Sequence, residues 1–152
     1  MKTRILFFMA MIVILFGLFS FQAEDSSKMH NGYYTAEIAG FDSHGWKEYL
    51  TIYVSNNKIV TAEYDAQNIS GFIKSWDMDY MRKMNATDGI YPNKYTRTYE
   101  VALLNWQNSD EVDTITGATH SYITFRILAA AAIAQAKAGD KQVAVCELPE
   151  LL

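Results

Sequence analysis

The sequence predicts an α+β domain: an antiparallel β-sheet meander with helices packed on it, behind an N-terminal apolar segment. Three observations predict it. Residues 31–65 alternate apolar or aromatic with polar side chains, in runs separated by short turns; this is the period of half-buried strands. Beyond Ser75 the apolar spacing changes to three and four, the period of a helix with one buried face. The two patterns follow one another instead of interleaving, which favours α+β over α/β.

The first strand is read over residues 31–38, where Tyr34, Ala36 and Ile38 alternate with Thr35 and Glu37. Residues 40–45 carry Asp42, Ser43 and His44 between two glycines and read as a turn. Residues 49–54 are rich in β-branched and aromatic side chains and make the second strand. Residues 55–58 contain Asn56 and Asn57, which tolerate positive φ, and predict a tight hairpin. Residues 59–65 form the third strand, after which residues 68–71 break the pattern. Ser75 is placed to cap a helix through Met84, with Trp76, Tyr80 and Met84 at fourfold spacing. Asp88-Gly89 and Pro92-Asn93 mark a loop. A helix is read over 95–107, with Tyr99, Ala102, Leu103 and Trp106 on one side. The last helix runs from Thr119 through an alanine-rich block to Lys137, and Gly139 stops it. There are no internal repeats.

At the N-terminus, Lys2 and Arg4 precede an apolar run over residues 5–21. A short basic lead and an apolar block read as a secretory signal, and the run is also at the lower length limit for a membrane anchor. Both readings place the remainder outside the cytoplasm, in the periplasm or at the cell surface. No cysteine follows the run, so a lipid attachment there is not available. The predicted organisation is therefore signal or anchor over 1–23, linker over 24–30, one domain over 31–139 and a tail over 140–152. The net charge is −4 with no basic stripe, which disfavours nucleic-acid binding. Cys146 is the only cysteine, so no internal disulfide forms; an odd cysteine in an exported protein reads as a free thiol or a link to another chain, and its apolar surroundings favour a buried, inert thiol. One cysteine and three scattered histidines give no zinc-ligand spacing. Neither a nicotinamide fingerprint nor a Ser-His-Asp order is present, and no catalytic residue is assigned.

The densest chemistry lies in Asp113-Thr114-Ile115-Thr116-Gly117-Ala118-Thr119-His120-Ser121. Hydroxyls and free backbone N–H groups around a helix N-terminus suit an anion such as a phosphate. The bland reading is that Thr116 or Thr119 merely caps the helix. The segment resembles the flavinylation motif of the FMN-binding domain family: Asp, two residues, Ser or Thr, Gly-Ala-Thr, one residue, Ser or Thr. That family includes the C subunit of the sodium-translocating NADH:quinone oxidoreductase, the G subunit of the Rnf complex and small exported flavoproteins. Asn31-Gly32-Tyr33, Gly45-Trp46, Lys58-Ile59, Tyr64-Asp65 and Lys74-Ser75 extend the similarity over about residues 31–138.

The resemblance implies covalent FMN on Thr119 through a phosphoester, attached by a flavin transferase that takes FMN from FAD using a divalent metal. It implies that Asp113 helps align the acceptor. Gly117 and Ala118 match the motif's Gly-Ala pair, and Thr116 and Ser121 its outer hydroxyls, able to bond the phosphate. Tyr33, Trp46, Tyr64, Trp76 and Tyr80 are candidates for stacking on the flavin ring, against the simpler reading of each as core. Lys74 is a candidate for the pyrimidine edge, against a solvated surface lysine. His120 is given no role. The expected function is electron relay outside the cytoplasm, with membrane or extracytoplasmic redox proteins as partners. Two alternatives stand beside it: an extracytoplasmic flavin-dependent reductase of a small substrate, and a cofactor-free exported binding or surface-antigen module.

Overall fold

The computed structural model describes residues 27–149. The predicted signal or anchor lies outside these residues. Four strands, β1 (Gly32–Ile38), β2 (Lys47–Ser55), β3 (Lys58–Gln67) and β4 (Ala144–Cys146), form one sheet in the order β3-β2-β1-β4. Three helices, α1 (Met78–Asp88), α2 (Pro92–Trp106) and α3 (Thr119–Ala138), complete the described domain. Helix α2 packs on β3, and α3 packs on β1, β2 and β4. The α+β architecture read from the sequence is the one observed.

The meander follows from the strand period. In β2 the even-numbered residues Glu48, Leu50, Ile52 and Val54 are buried, and their odd-numbered neighbours are only partly so. The register aligns Ala36, Leu50 and Tyr64 across three strands, so one face becomes the core. The other face pairs Tyr33 with Tyr53 at 4.6 Å between rings and Thr35 with Thr51 at 2.8 Å. The β2–β3 turn has Asn56 at φ 52° and Asn57 at φ 60°, the left-handed pair that a two-residue hairpin requires. Beneath the sheet, Leu103, Phe125, Leu128 and Ala132 are fully enclosed. Each buried aliphatic or aromatic side chain contributes roughly 1.5–3 kcal/mol. The alanines of α3 let its backbone lie close to the strands.

Several local expectations give way. The meander is antiparallel over β1–β3, but β4 runs parallel to β1 and comes from the segment the sequence assigns to the tail. Three residues are too few to show a period; β4 exists because α3 returns the chain to the free edge of β1. Cys146 is consequently only partly buried, and burial raises its thiol pKa. Ser75 does not cap α1. It is buried in a 3-10 turn, Lys74–Trp76, and Asp77 takes the cap, accepting from the amides of Asp79 (3.1 Å) and Tyr80 (2.9 Å). Trp76 therefore lies before the helix. Helix α2 starts at Pro92, whose fixed φ suits a first turn. Its buried stripe is Tyr95, Tyr99 and Leu103, and Trp106 faces outward.

Candidate functional site

The loop 113–118 is held from below. The Tyr99 hydroxyl donates to the Ala118 carbonyl and accepts from the Ile115 amide, each at 3.3 Å. Gly117 has φ +84°, and a Cβ there would meet the Asp88 carbonyl oxygen and the Ile90 Cγ2 at 2.9 Å. Both conformation and space thus reserve this position for glycine. The chain then enters α3 with Ala118 in the cap position and no side-chain cap. Neither Thr116 nor Thr119 caps the helix: Thr119 is its first residue, and both are exposed. The first amides of α3 have no partner within the helix, and they sit at the positive end of a 20-residue dipole.

Beside this helix start opens a cavity of about 470 Å³. Gly117, Ala118, His120 and Ser121 form one wall, Lys74, Tyr80 and Met84 another, and Tyr95 joins them. The loop Asp42-Ser43-His44 closes a further side. That loop is rigidified by Asp42, whose Oδ1 accepts from the amides of His44 and Trp46 at 2.8 Å each. A second space of about 180 Å³ shares Asp42, His120 and Leu148 with the first and is lined by Trp46 and Glu48.

Lys74 is only 5% exposed. Its ammonium sits 5.2 Å from the ring centre of Tyr80 and 6.0 Å from that of Trp46, within cation–π range. The rings of Trp46 and Tyr80 meet edge to face at 5.9 Å. The nearest carboxylate oxygen, Glu48 Oε1, is 4.0 Å away, too far for a hydrogen bond. Glu48 is buried at the inward end of β2 and turns to other partners. Its Oε2 is 2.7 Å from the Tyr64 hydroxyl, which is also 2.8 Å from the Ser121 carbonyl. The Ser121 hydroxyl donates to Glu48 Oε1 at 3.4 Å. Burial pushes the Glu48 carboxyl up; the attraction of Lys74 and the Tyr64 hydrogen bond oppose this without cancelling it. Burial likewise raises Tyr64 well above the ordinary phenol range, and the adjacent Glu48 adds to it.

The structure thus separates the sequence candidates into groups. Gly117, Ala118, Ser121 and Lys74 border the larger cavity; Thr119, between Ala118 and His120, is exposed and lines neither space. Trp46 lines the smaller space. Tyr64 lies under the site as a core residue, touching Phe125 and Tyr99. Lys74 is buried, so the solvated-lysine reading fails. Asp113 and Thr116 are exposed and line neither space. Tyr33 stands on the outer sheet face and Trp76 is 65% exposed, so neither borders the cavity. Glu48, Tyr95 and Asp42 were missed as site residues. Glu48 had a readable signal: a carboxylate at the head of the inward register Leu50, Ile52, Val54. No group of three or more metal-ligating side chains occurs among the described residues.

No family model matches the chain. It is 39% identical over 134 residues to a protein of Treponema pallidum (strain Nichols) named 15 kDa lipoprotein, covering 88% of this chain and 92% of that one. Among solved structures it is similar to the CPE2226 protein from Clostridium perfringens, with 38% identity and a TM-score of 0.76 over 80% of this chain and 99% of that one. The extent and identity of the first match make this chain a member of the family of the Treponema pallidum 15 kDa lipoprotein.

Proposed function

We propose that this protein is an exported flavoprotein that carries FMN covalently on Thr119 and relays electrons outside the cytoplasm. The observation that carries the reading is the juxtaposition at the start of α3. An exposed hydroxyl stands on the first residue of an uncapped helix, next to a cavity of about 470 Å³ walled by a buried cation and aromatic rings. That volume is in the range of small-molecule sites, roughly 300–1,000 Å³. The helix amides suit a phosphate. Tyr80 and Tyr95 border this cavity, and Lys74 offers a positive charge to the electron-rich edge of a heterocycle. Bound flavin supplies one- and two-electron chemistry; the chain's part is to hold it, orient it and leave an edge open to a partner.

Export is supported by the sequence of residues 1–23 and by the relative's name, which describes a lipoprotein. This chain has no cysteine behind its apolar run, so its tether, where one is retained, is residues 5–21. Among the described residues no helix is long and apolar enough to cross a membrane.

The test is co-expression of the full chain with a flavin transferase, FAD and a divalent metal. In-gel flavin fluorescence and peptide mapping are then read on denatured protein. Wild type should carry FMN on the peptide containing Thr119, and Thr119→Ala should carry none. Because Thr119 is exposed and is not the cap, that variant should keep wild-type stability within about 0.5 kcal/mol. Flavin that persists on folded Thr119→Ala, or a wild type without flavin, rejects the proposal.

A further inference from the structure

Three oxygens under the cavity pose a proton-counting problem. The Tyr64 hydroxyl lies 2.7 Å from Glu48 Oε2 and 2.8 Å from the Ser121 carbonyl oxygen. Each distance is that of a hydrogen bond, so each contact needs a hydrogen. Tyr64 has one to give. The Ser121 carbonyl has none. The second hydrogen comes from Glu48 when its carboxyl is protonated: Glu48 then donates to Tyr64, and Tyr64 donates to Ser121. With Glu48 ionised, one of two short oxygen contacts would lack a hydrogen. The Lys74 position agrees. An ammonium beside a buried carboxylate closes to about 2.7–2.9 Å, whereas Lys74 stays 4.0 Å away and no hydrogen bond of its ammonium occurs among the described residues.

We propose that Glu48 keeps its proton at neutral pH, and that Lys74 is thereby left as an uncompensated charge that makes the neighbouring cavity a site for an anionic, ring-bearing ligand. Retention of the Glu48 proton and occupation of the cavity then favour one another. An anion next to Lys74 disfavours a second negative charge at Glu48, and loss of the Glu48 proton neutralises the cation that attracts the anion. The direction of the burial effect on Glu48 is the same. The groups facing Glu48 are Tyr64 from β3, Lys74 from the 3-10 turn, and Ser121, Thr124 and His120 from α3. Asp42 and Glu147 border the adjoining space, and Tyr95 from α2 feels the Glu48 charge. Asp42 and His120 line both cavities, and His120 is exposed. The inference deepens the flavin reading by assigning an electrostatic setting to its cavity, but its first test needs no flavin.

The full chain, made without flavin transferase and labelled with carbon-13 at glutamate side chains, is titrated by carboxyl NMR, with Glu48→Gln identifying the Glu48 signal. Glu48 should be protonated at neutral pH. Non-covalent binding of FMN and of riboflavin is then measured from neutral to alkaline pH. FMN affinity should fall roughly tenfold or more as Glu48 ionises. It should stay flat in Glu48→Gln, which keeps a neutral donor and acceptor, and should be lost in Lys74→Met. Uncharged riboflavin should lack the dependence. A wild-type Glu48 ionised at neutral pH overturns the inference, as does an FMN pH profile unchanged by Glu48→Gln. The wild-type titration stands even if a variant fails to fold. An ionised Glu48 beside flavin mapped to Thr119 removes this inference alone; a neutral Glu48 without covalent flavin removes only the attachment.

Discussion

Replacing Gly117 with alanine should destabilise the protein by about 2–5 kcal/mol, from two separable causes. The residue has φ +84°, where an L side chain costs roughly 1–2 kcal/mol. Its new methyl group would also sit 2.9 Å from the Asp88 carbonyl oxygen and from the Ile90 Cγ2. Ile90 is 3% exposed, and Asp88 is the last residue of α1, so neither yields freely. Overpacking of this kind typically adds 1–3 kcal/mol. Two other glycines isolate the parts. Gly45 has φ +81° with nothing within 4 Å of its Cβ position, so Gly45→Ala measures the conformational cost alone. Gly40 has open space and no positive φ, so Gly40→Ala should change stability by under about 0.5 kcal/mol. Urea unfolding followed by circular dichroism, with unchanged m-values, gives all three. The order should be Gly117 above Gly45 above Gly40. A Gly117→Ala cost no larger than that of Gly45→Ala would refute the close approach of the 113–118 loop to the end of α1.

Two further outcomes are expected. Asp77→Ala should cost about 1 kcal/mol through the lost cap of α1, while Ser75→Ala should be nearly neutral, because the Ser75 hydroxyl is buried without a partner; equal losses in urea titration would contradict this. Alkaline spectrophotometric titration should show a delayed group of tyrosines: burial pushes Tyr49 up to about 12 and also raises Tyr64 and Tyr95. The unfolded chain releases these protons near pH 10 while the native chain keeps them, so stability should fall as pH rises past that point; ionisation of all ten tyrosines in one step with the fold intact would oppose it.

What the sequence showed depended on how each feature is encoded. Strand alternation and the Asn56-Asn57 turn are local, and β1–β3 were legible within two residues at each end. The start of α1 was misplaced because Ser75 and Asp77 are both good caps. The choice between them is tertiary: Asp65 Oδ1 takes the Ser75 amide at 3.2 Å and fixes it in the preceding turn. Strand β4 was illegible because its only reason to exist is the free edge of β1. At the site, the motif from Asp113 to Ser121 could be read in one stretch. Of its surroundings Lys74 was named, but Glu48, Tyr95 and Asp42 were not, because they come from three other segments. Trp76 and Tyr33 were plausible by type and wrong by place, since aromatic identity does not say which side of an element faces a cavity.

The cap position of α3 links fold to chemistry. A Ser, Asp or Asn there would stabilise the helix by about 1 kcal/mol and would occupy an amide of the first turn. The chain has Ala118 instead, 3% exposed and held by its carbonyl to Tyr99. The helix start is thus fixed by packing and by Gly117 rather than by a capping oxygen, and its amides stay available to a ligand. The same arrangement turns Thr119 outward, where its hydroxyl takes no part in holding the fold. A helix of 20 residues with Leu128, Ala129 and Ala132 fully buried can forgo a cap without fraying at its centre. Stability therefore resides in the middle of α3 and under the 113–118 loop, and the proposed attachment point is its first residue. That separation makes Thr119→Ala a test of chemistry and Gly117→Ala a test of structure, although the two positions are only two residues apart.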